Sequence, residues 1–262
     1  RCALVRPVAV LIGGIAVFLM LGPTPMAHAD VAPPPFAPGS DVGPSAETNV
    51  PMVSERVLLT ISDAVTATNP YSDNASDRMI GRVEATFILR NDGAASESMD
   101  VRFPVRRDQY EIAISEGFEA SVAGAPAPIV FKDGDGRPFP EATAAASSPN
   151  TWATFPGTFP PGVNVEVTVR YDVRPTGYPP FGTFGYVLDT GAAWDGVIGD
   201  AEVRVRLPYD VNETNVALNA DSMWDTGPLP AGFEVDGTDV VWRFTDLEPT
   251  EADNIRLTAL IP

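Results

Sequence analysis

The sequence predicts an all-β protein: two tandem antiparallel immunoglobulin-like β-sandwiches that follow a signal peptide and a Pro-rich linker. Three observations predict it. Apolar and polar residues alternate with period 2 in several runs, turn-forming residues separate those runs, and an internal repeat divides the globular part into two similar halves.

The first 29 residues read as a cleavable leader. Arg1 and Arg6 give a basic start, residues 8–21 are nearly all apolar, and Gly22, Pro23 and Pro25 then break the run. An apolar stretch of about 14 residues is short of the ~20 that a helix needs to cross hydrocarbon. Ala27-His28-Ala29 supplies the small residues of a cleavage site, which places the expected cut before Asp30. No cysteine follows the run, so a lipid anchor is not expected. The chain does not start with Met, and the sequence is expected to be a fragment at that end.

Cleavage there removes Cys2 and His28, which are the only cysteine and the only histidine. It also removes two arginines and no acid, so the net charge moves from −18 to −20. Without imidazole or thiol, the mature chain cannot build a Ser-His-Asp or Cys-His site, nor the usual zinc, haem or copper sites. Lys132 is the single lysine, which argues against Schiff-base or Ser-Lys chemistry. Carboxylates remain for acid–base work. A strongly acidic chain repels nucleic-acid phosphates and anionic lipid heads, so neither is an expected partner, and no membrane span is expected in the mature chain. Stability must come from buried apolar area, because no disulfide is available.

Residues 30–51 carry six prolines and two glycines with no apolar period, and read as an extended tether. Period 2 begins at Met52. Val83, Ala85, Phe87 and Leu89 alternate with Arg82, Glu84, Thr86 and Arg90, with Ile88 as the exception. Val163, Val165, Val167 and Val169 alternate with Asn164, Glu166, Thr168 and Arg170, and Val203, Val205 and Leu207 with Glu202, Arg204 and Arg206. Each run describes one dry and one wet face, as in an antiparallel sheet covered on one side. Asn91-Asp92-Gly93, Ala123-Gly124, Pro160-Pro161-Gly162 and Asp236-Gly237 supply the reversals.

The repeat is carried by Val101-Arg102-Phe103-Pro104 and Val205-Arg206-Leu207-Pro208, by residues 86–95 and 184–193, and by Phe159, Pro161, Val167 and Val169 against Leu247, Pro249, Ile255 and Leu257. It predicts sandwiches at 52–175 and 176–262, after a signal peptide at 1–29 and a linker at 30–51. A large apolar residue that recurs with a repeat is expected in the core, which covers Trp152 and Trp242.

Residues 176–210, with the opening ADVAPPP, the phrase VRFP and the run after Phe159, resemble secreted bacterial β-sandwich proteins of unknown function of a Chloroflexi type. Residues 85–104 are similar, more distantly, to the sandwich domain of inter-alpha-trypsin inhibitor heavy chains. These resemblances imply export and a β-sandwich; they imply no catalytic or binding residue.

The candidate sites are few. Trp194 and Trp224 fall in predicted loops, and with Tyr186 they are the candidates for contact with a protein or glycan ligand. Asp189, Asp195 and Asp200, near Phe184 and Trp194, are where paired carboxylates for glycoside hydrolysis would be sought. Asp133 and Asp135 suggest calcium, but Phe131 and Ala142 occupy EF-hand ligand positions, and a tight turn explains the aspartates equally. Asn74 and Asn212 begin glycosylation-type triplets that carry no weight in a bacterial protein. The resulting expectation is a non-enzymatic exported module for protein or glycan contact, with a carbohydrate-binding module and a carboxylate glycosidase as alternatives and no cofactor beyond calcium.

Overall fold

The period-2 runs become strands in the computed structural model, which describes residues 43–44, 48–63, 78–107, 110–111, 117–133, 136–138, 151–177, 180–218, 230 and 232–260. All of them belong to one compact unit, Pro33–Pro262. The predicted leader, most of the linker and Asn74 lie outside the described residues. Among the described residues there is no α-helix, and none long and apolar enough to cross a membrane.

In chain order the strands of the first half are β1 (Gly43–Pro44), β2 (Met52–Asp63), β3 (Met79–Arg90), β4 (Glu97–Arg107), β5 (Tyr110–Glu111), β6 (Glu119–Val122), β7 (Ala125–Pro126), β8 (Val130–Lys132), β9 (Thr151–Phe159) and β10 (Asn164–Val173). The second half adds β11 (Phe181–Tyr186), β12 (Ile198–Arg206), β13 (Glu234–Asp236), β14 (Asp239–Leu247) and β15 (Ile255–Leu260). Single-turn 3-10 segments follow β11 and precede β15.

Burial follows the predicted alternation. Val83, Ala85, Phe87 and Leu89 of β3 are buried, as are Val165, Val167 and Val169 of β10 and Val203 and Val205 of β12. Val163 departs from it, at 50% exposure, because it belongs to the turn before β10, where Gly162 takes a φ of 71°. The β6–β7 hairpin turns on Ala123 and Gly124, with φ of 51° and 77°. That left-handed pair matches the right-handed twist of the strands. Asn91 acts through its side chain: buried, it donates from Nδ2 to the carbonyls of Ala95 (2.8 Å) and Phe159 (2.7 Å) and accepts from Gly93 N (2.8 Å).

The internal repeat reappears as a repeat of pairings. In the first half β3 pairs β10 and, nested inside, β4 pairs β9. In the second half β11 pairs β15 and, nested inside, β12 pairs β14. The halves are not separate sandwiches, however. β2 lies between them, antiparallel to β3 on one edge and parallel to β12 on the other. This makes one eight-stranded sheet in the order β13-β14-β12-β2-β3-β10-β6-β7, which runs across the predicted boundary at residue 175. The physical reason is the edge: both halves present a strand with free N–H and C=O groups, and one shared strand satisfies both.

Two smaller sheets cover the core face. β4, β9, β8 and β1, with β5 on β4, form the sheet over the first half, where the Phe103 ring lies 5.0 Å from that of Tyr171 in β10. The β11–β15 pair covers the second. Gly81 in β3 permits this approach, because a Cβ there would meet Leu59 Cδ1 at 2.7 Å, Val173 Cγ2 at 2.8 Å and Phe184 Cε1 at 3.0 Å. One continuous hydrophobic core joins residues of both halves.

Candidate functional site

β2 sends Val57, Leu59 and Ile61 into the core, and Glu55 has the same parity. Its side chain is fully buried, and Tyr186 Oη of β11 donates to its Oε1 at 2.7 Å. Tyr186 is therefore a core residue that ties the covering pair to the large sheet, not a ligand-contact residue. Trp194 is likewise 4% exposed and sets its ring edge-on to Phe159 at 6.0 Å. It falls in irregular chain, as predicted, but the chain after the 3-10 turn packs against the segment that leads into β2, where Asp195 N donates to Val50 O (3.2 Å). Loop position did not mean exposure. Trp224 and Asp135 lie outside the described residues.

Removing only the Tyr186 hydroxyl tests this assignment. Tyr186→Phe is expected to cost about 1–3 kcal/mol, since a buried carboxyl oxygen loses a donor. A urea midpoint identical to that of the parent protein would contradict it.

Two of the three aspartates considered for acid–base work, Asp189 and Asp200, have structural partners. Asp189 is half-buried beside Asn254, whose Oδ1 accepts from the backbone N of Leu188 (2.8 Å) and Asp189 (3.2 Å). Asp200 forms an exposed ion pair with Arg56, and Asp195 stands exposed in the turn before β12. Asp133 closes its own turn by accepting from Arg137 N at 2.8 Å, which is the turn role weighed against calcium. Among the described residues, no group of three or more metal-ligating side chains comes together.

The solvent face of β12, β13 and β14 carries an ion-pair ladder. Glu234 pairs with Arg243 (2.6 Å), Arg243 with Glu202 (3.0 Å), Glu202 with Arg204 (3.1 Å), and Arg204 with Asp239 (2.8 Å). Arg206 completes it with hydrogen bonds of 2.9 Å to both Asp239 oxygens. The Arg206 bond first, then those from Arg204 and Thr238, hold the Asp239 carboxyl well below the usual carboxylate range, against the opposing effect of burial.

The outer face of the β4–β9–β8 sheet is built differently. Met99, Val101 and Phe103 stand opposite Gly157, Phe155 and Ala153 and face the core. The residues between them, Asp100 and Arg102 in β4 and Thr154 and Trp152 in β9, take the other side. Lys132 of β8 lies opposite Trp152. Trp152 is half-buried, with the Arg102 guanidinium carbon 5.2 Å from its ring centroid. Arg102 donates from Nε (3.2 Å) and Nη2 (2.8 Å) to the Pro44 carbonyl, while Lys132 Nζ takes Asp100 at 2.7 Å. Burial pushes the Arg102 guanidinium below its usual value, and Asp100 opposes that only in part. The repeat pointed to a core position for Trp152; the strand turns it outward instead.

No protein-family model matches the chain, and no curated protein does. Among solved structures, one from Legionella pneumophila subsp. pneumophila, named as a candidate nutrient binding protein, superposes with a TM-score of 0.63 at 18% identity, over 85% of this chain and 70% of that one. An M1 zinc metallopeptidase from Deinococcus radiodurans gives a TM-score of 0.37 at 12% identity, over 84% of this chain and 43% of that one. The first likeness concerns the fold alone, and the second carries no argument. This chain spans less than half of the metallopeptidase.

Proposed function

We propose that this chain is an exported, non-enzymatic interaction module, released from its leader before Asp30 and presenting sheet faces to protein or glycan outside the cytoplasm. The observation that carries the reading is the use made of the reactive groups. Asp239 is locked between two arginines, Asp200 answers Arg56, and Tyr186 is spent on Glu55. Groups so committed stabilise a scaffold; acid–base catalysis needs a carboxyl placed to exchange a proton with substrate. The description of the Legionella protein as nutrient binding is in keeping with a binding role for this fold.

The test has two arms. Purified mature chain incubated with a panel of polysaccharides and peptides is expected to release no product, and turnover abolished by Asp195→Asn or Asp200→Asn would overturn the reading. Mass spectrometry of the chain recovered from the medium or envelope is expected to give an N-terminus at Asp30. A retained leader would overturn the export part.

A further inference from the structure

Between β12 and β13 the chain carries Asn212-Glu213-Thr214, which has the acceptor pattern for an N-linked glycan. The triplet alone carries no weight; its setting in the fold does. The chain is pinned on both sides of it. Ahead of it, Tyr209 Oη donates to the Leu260 carbonyl (2.5 Å) and Val211 N to the Gly237 carbonyl (2.9 Å). Beyond it, Val216 is buried and bridges Ala259, and Ala217 N donates to the Thr258 carbonyl (2.9 Å). Between these anchors Asn212, Glu213 and Thr214 are all exposed, so the turn is offered to solvent in one fixed shape.

The side chains in the turn suit an acceptor. Asn212 Oδ1 accepts from the backbone N of Thr214 (2.9 Å) and also from its Oγ1. Two donors on one amide oxygen draw electron density toward it, and the Nδ2 protons become easier to remove. Nδ2 itself makes a long bond of 3.3 Å to the Asp210 carbonyl. Asn215 holds the turn separately: its Oδ1 accepts from Asn212 N (2.9 Å) and its Nδ2 donates to the Asp210 carbonyl (2.8 Å). Bacterial oligosaccharyltransferases take the triplet when an acid stands two residues ahead of the acceptor, and exposed Asp210 stands there. Its carboxylate offers a charge-assisted hydrogen bond to a basic side chain of such an enzyme. The chain's other triplet, Asn74-Ala75-Ser76, has Ser72 at that place.

We propose that Asn212 is a glycan attachment site, modified outside the cytoplasm by a transferase that uses a lipid-pyrophosphate-linked oligosaccharide. Nδ2 attacks the anomeric carbon of the sugar. The C–N bond forms as the C–O bond to pyrophosphate breaks, the lipid pyrophosphate leaves with the electron pair, and the Nδ2 proton passes to a base of the transferase. The inference goes beyond the reading of the chain as an interaction module and shares only its premise of export.

The purified mature chain, folded, is incubated with a bacterial oligosaccharyltransferase and its lipid-pyrophosphate-linked oligosaccharide, and followed by intact mass and peptide mapping. A peptide of residues 207–218 serves as the control for enzyme activity. The expected result is one glycan per chain, on Asn212 and not on Asn74. Asn212→Gln and Thr214→Ala are expected to abolish transfer, and Thr214→Ser to retain it. Asp210→Ala is expected to slow it by about tenfold or more, the loss of one charge-assisted hydrogen bond. A folded chain left unmodified while the peptide is glycosylated would overturn the site, as would transfer that survives Asn212→Gln or falls on Asn74 instead. Transfer in this purified system does not depend on secretion. A chain that keeps its leader in the cell therefore defeats the export reading without touching this one, and an unmodified folded chain defeats this one without touching export.

Discussion

Trp242→Ala is expected to lower the unfolding free energy by about 3–5 kcal/mol, the range for an aromatic deleted from a packed core. The side chain is fully buried, opposite Val203 across the β12–β14 pair, with the Phe233 ring at 5.8 Å. Its Nε1 donates to the Pro230 carbonyl at 3.2 Å, so the truncation leaves both a cavity and a buried acceptor without its donor. Small domains hold roughly 5–15 kcal/mol in all, so the variant should unfold at a much lower urea concentration. Trp152→Ala is the control. Trp152 is half-buried on the outer face, so its loss is expected to cost less than that of Trp242, part of it the stack on Arg102, a contact worth about 0.5–1 kcal/mol at surface sites. Equal destabilisation by the two variants would contradict the division of the tryptophans between core and surface.

That division shows where the sequence was legible and where the reading stopped short. The repeat made Trp152 and Trp242 equivalent, yet local parity separates them. Trp242 shares its side with Val240 and Phe244, while Trp152 shares its side with Thr154 and Thr158 and leaves Ala153, Phe155 and Phe159 to the core. Glu55 carried a similar signal, an acid in step with Val57, Leu59 and Ile61, which marks a buried carboxyl with a partner to be found. The alternation and the turns were readable because both are local. The junction through β2 was not, since a parallel pair between residues 54–60 and 200–206 leaves no mark on either segment that differs from antiparallel pairing. Trp194 misled for a related reason: a break in periodicity locates irregular chain without saying whether tertiary packing covers it.

Asp239→Asn is expected to cost about 2–4 kcal/mol at pH 7, because it leaves Arg204 and Arg206 facing a neutral group at a nearly buried position. The loss should depend on acidity in a direction set by the carboxyl. Its pKa in the folded protein lies below its value in the unfolded chain, near 3.9. The unfolded state therefore takes up the proton first as pH falls, and the stabilisation, complete above about pH 5, drains away through pH 4 toward pH 2. Asparagine cannot titrate. The gap in unfolding free energy between parent and variant should be widest near neutrality and shrink steadily between pH 5 and pH 2. Comparing the two proteins at each pH cancels the contribution of the many other carboxyls, which titrate in both. A gap of constant size across that window would mean that the arginines hold Asp239 by shape rather than by charge, and the ladder on this face would then lose its electrostatic role.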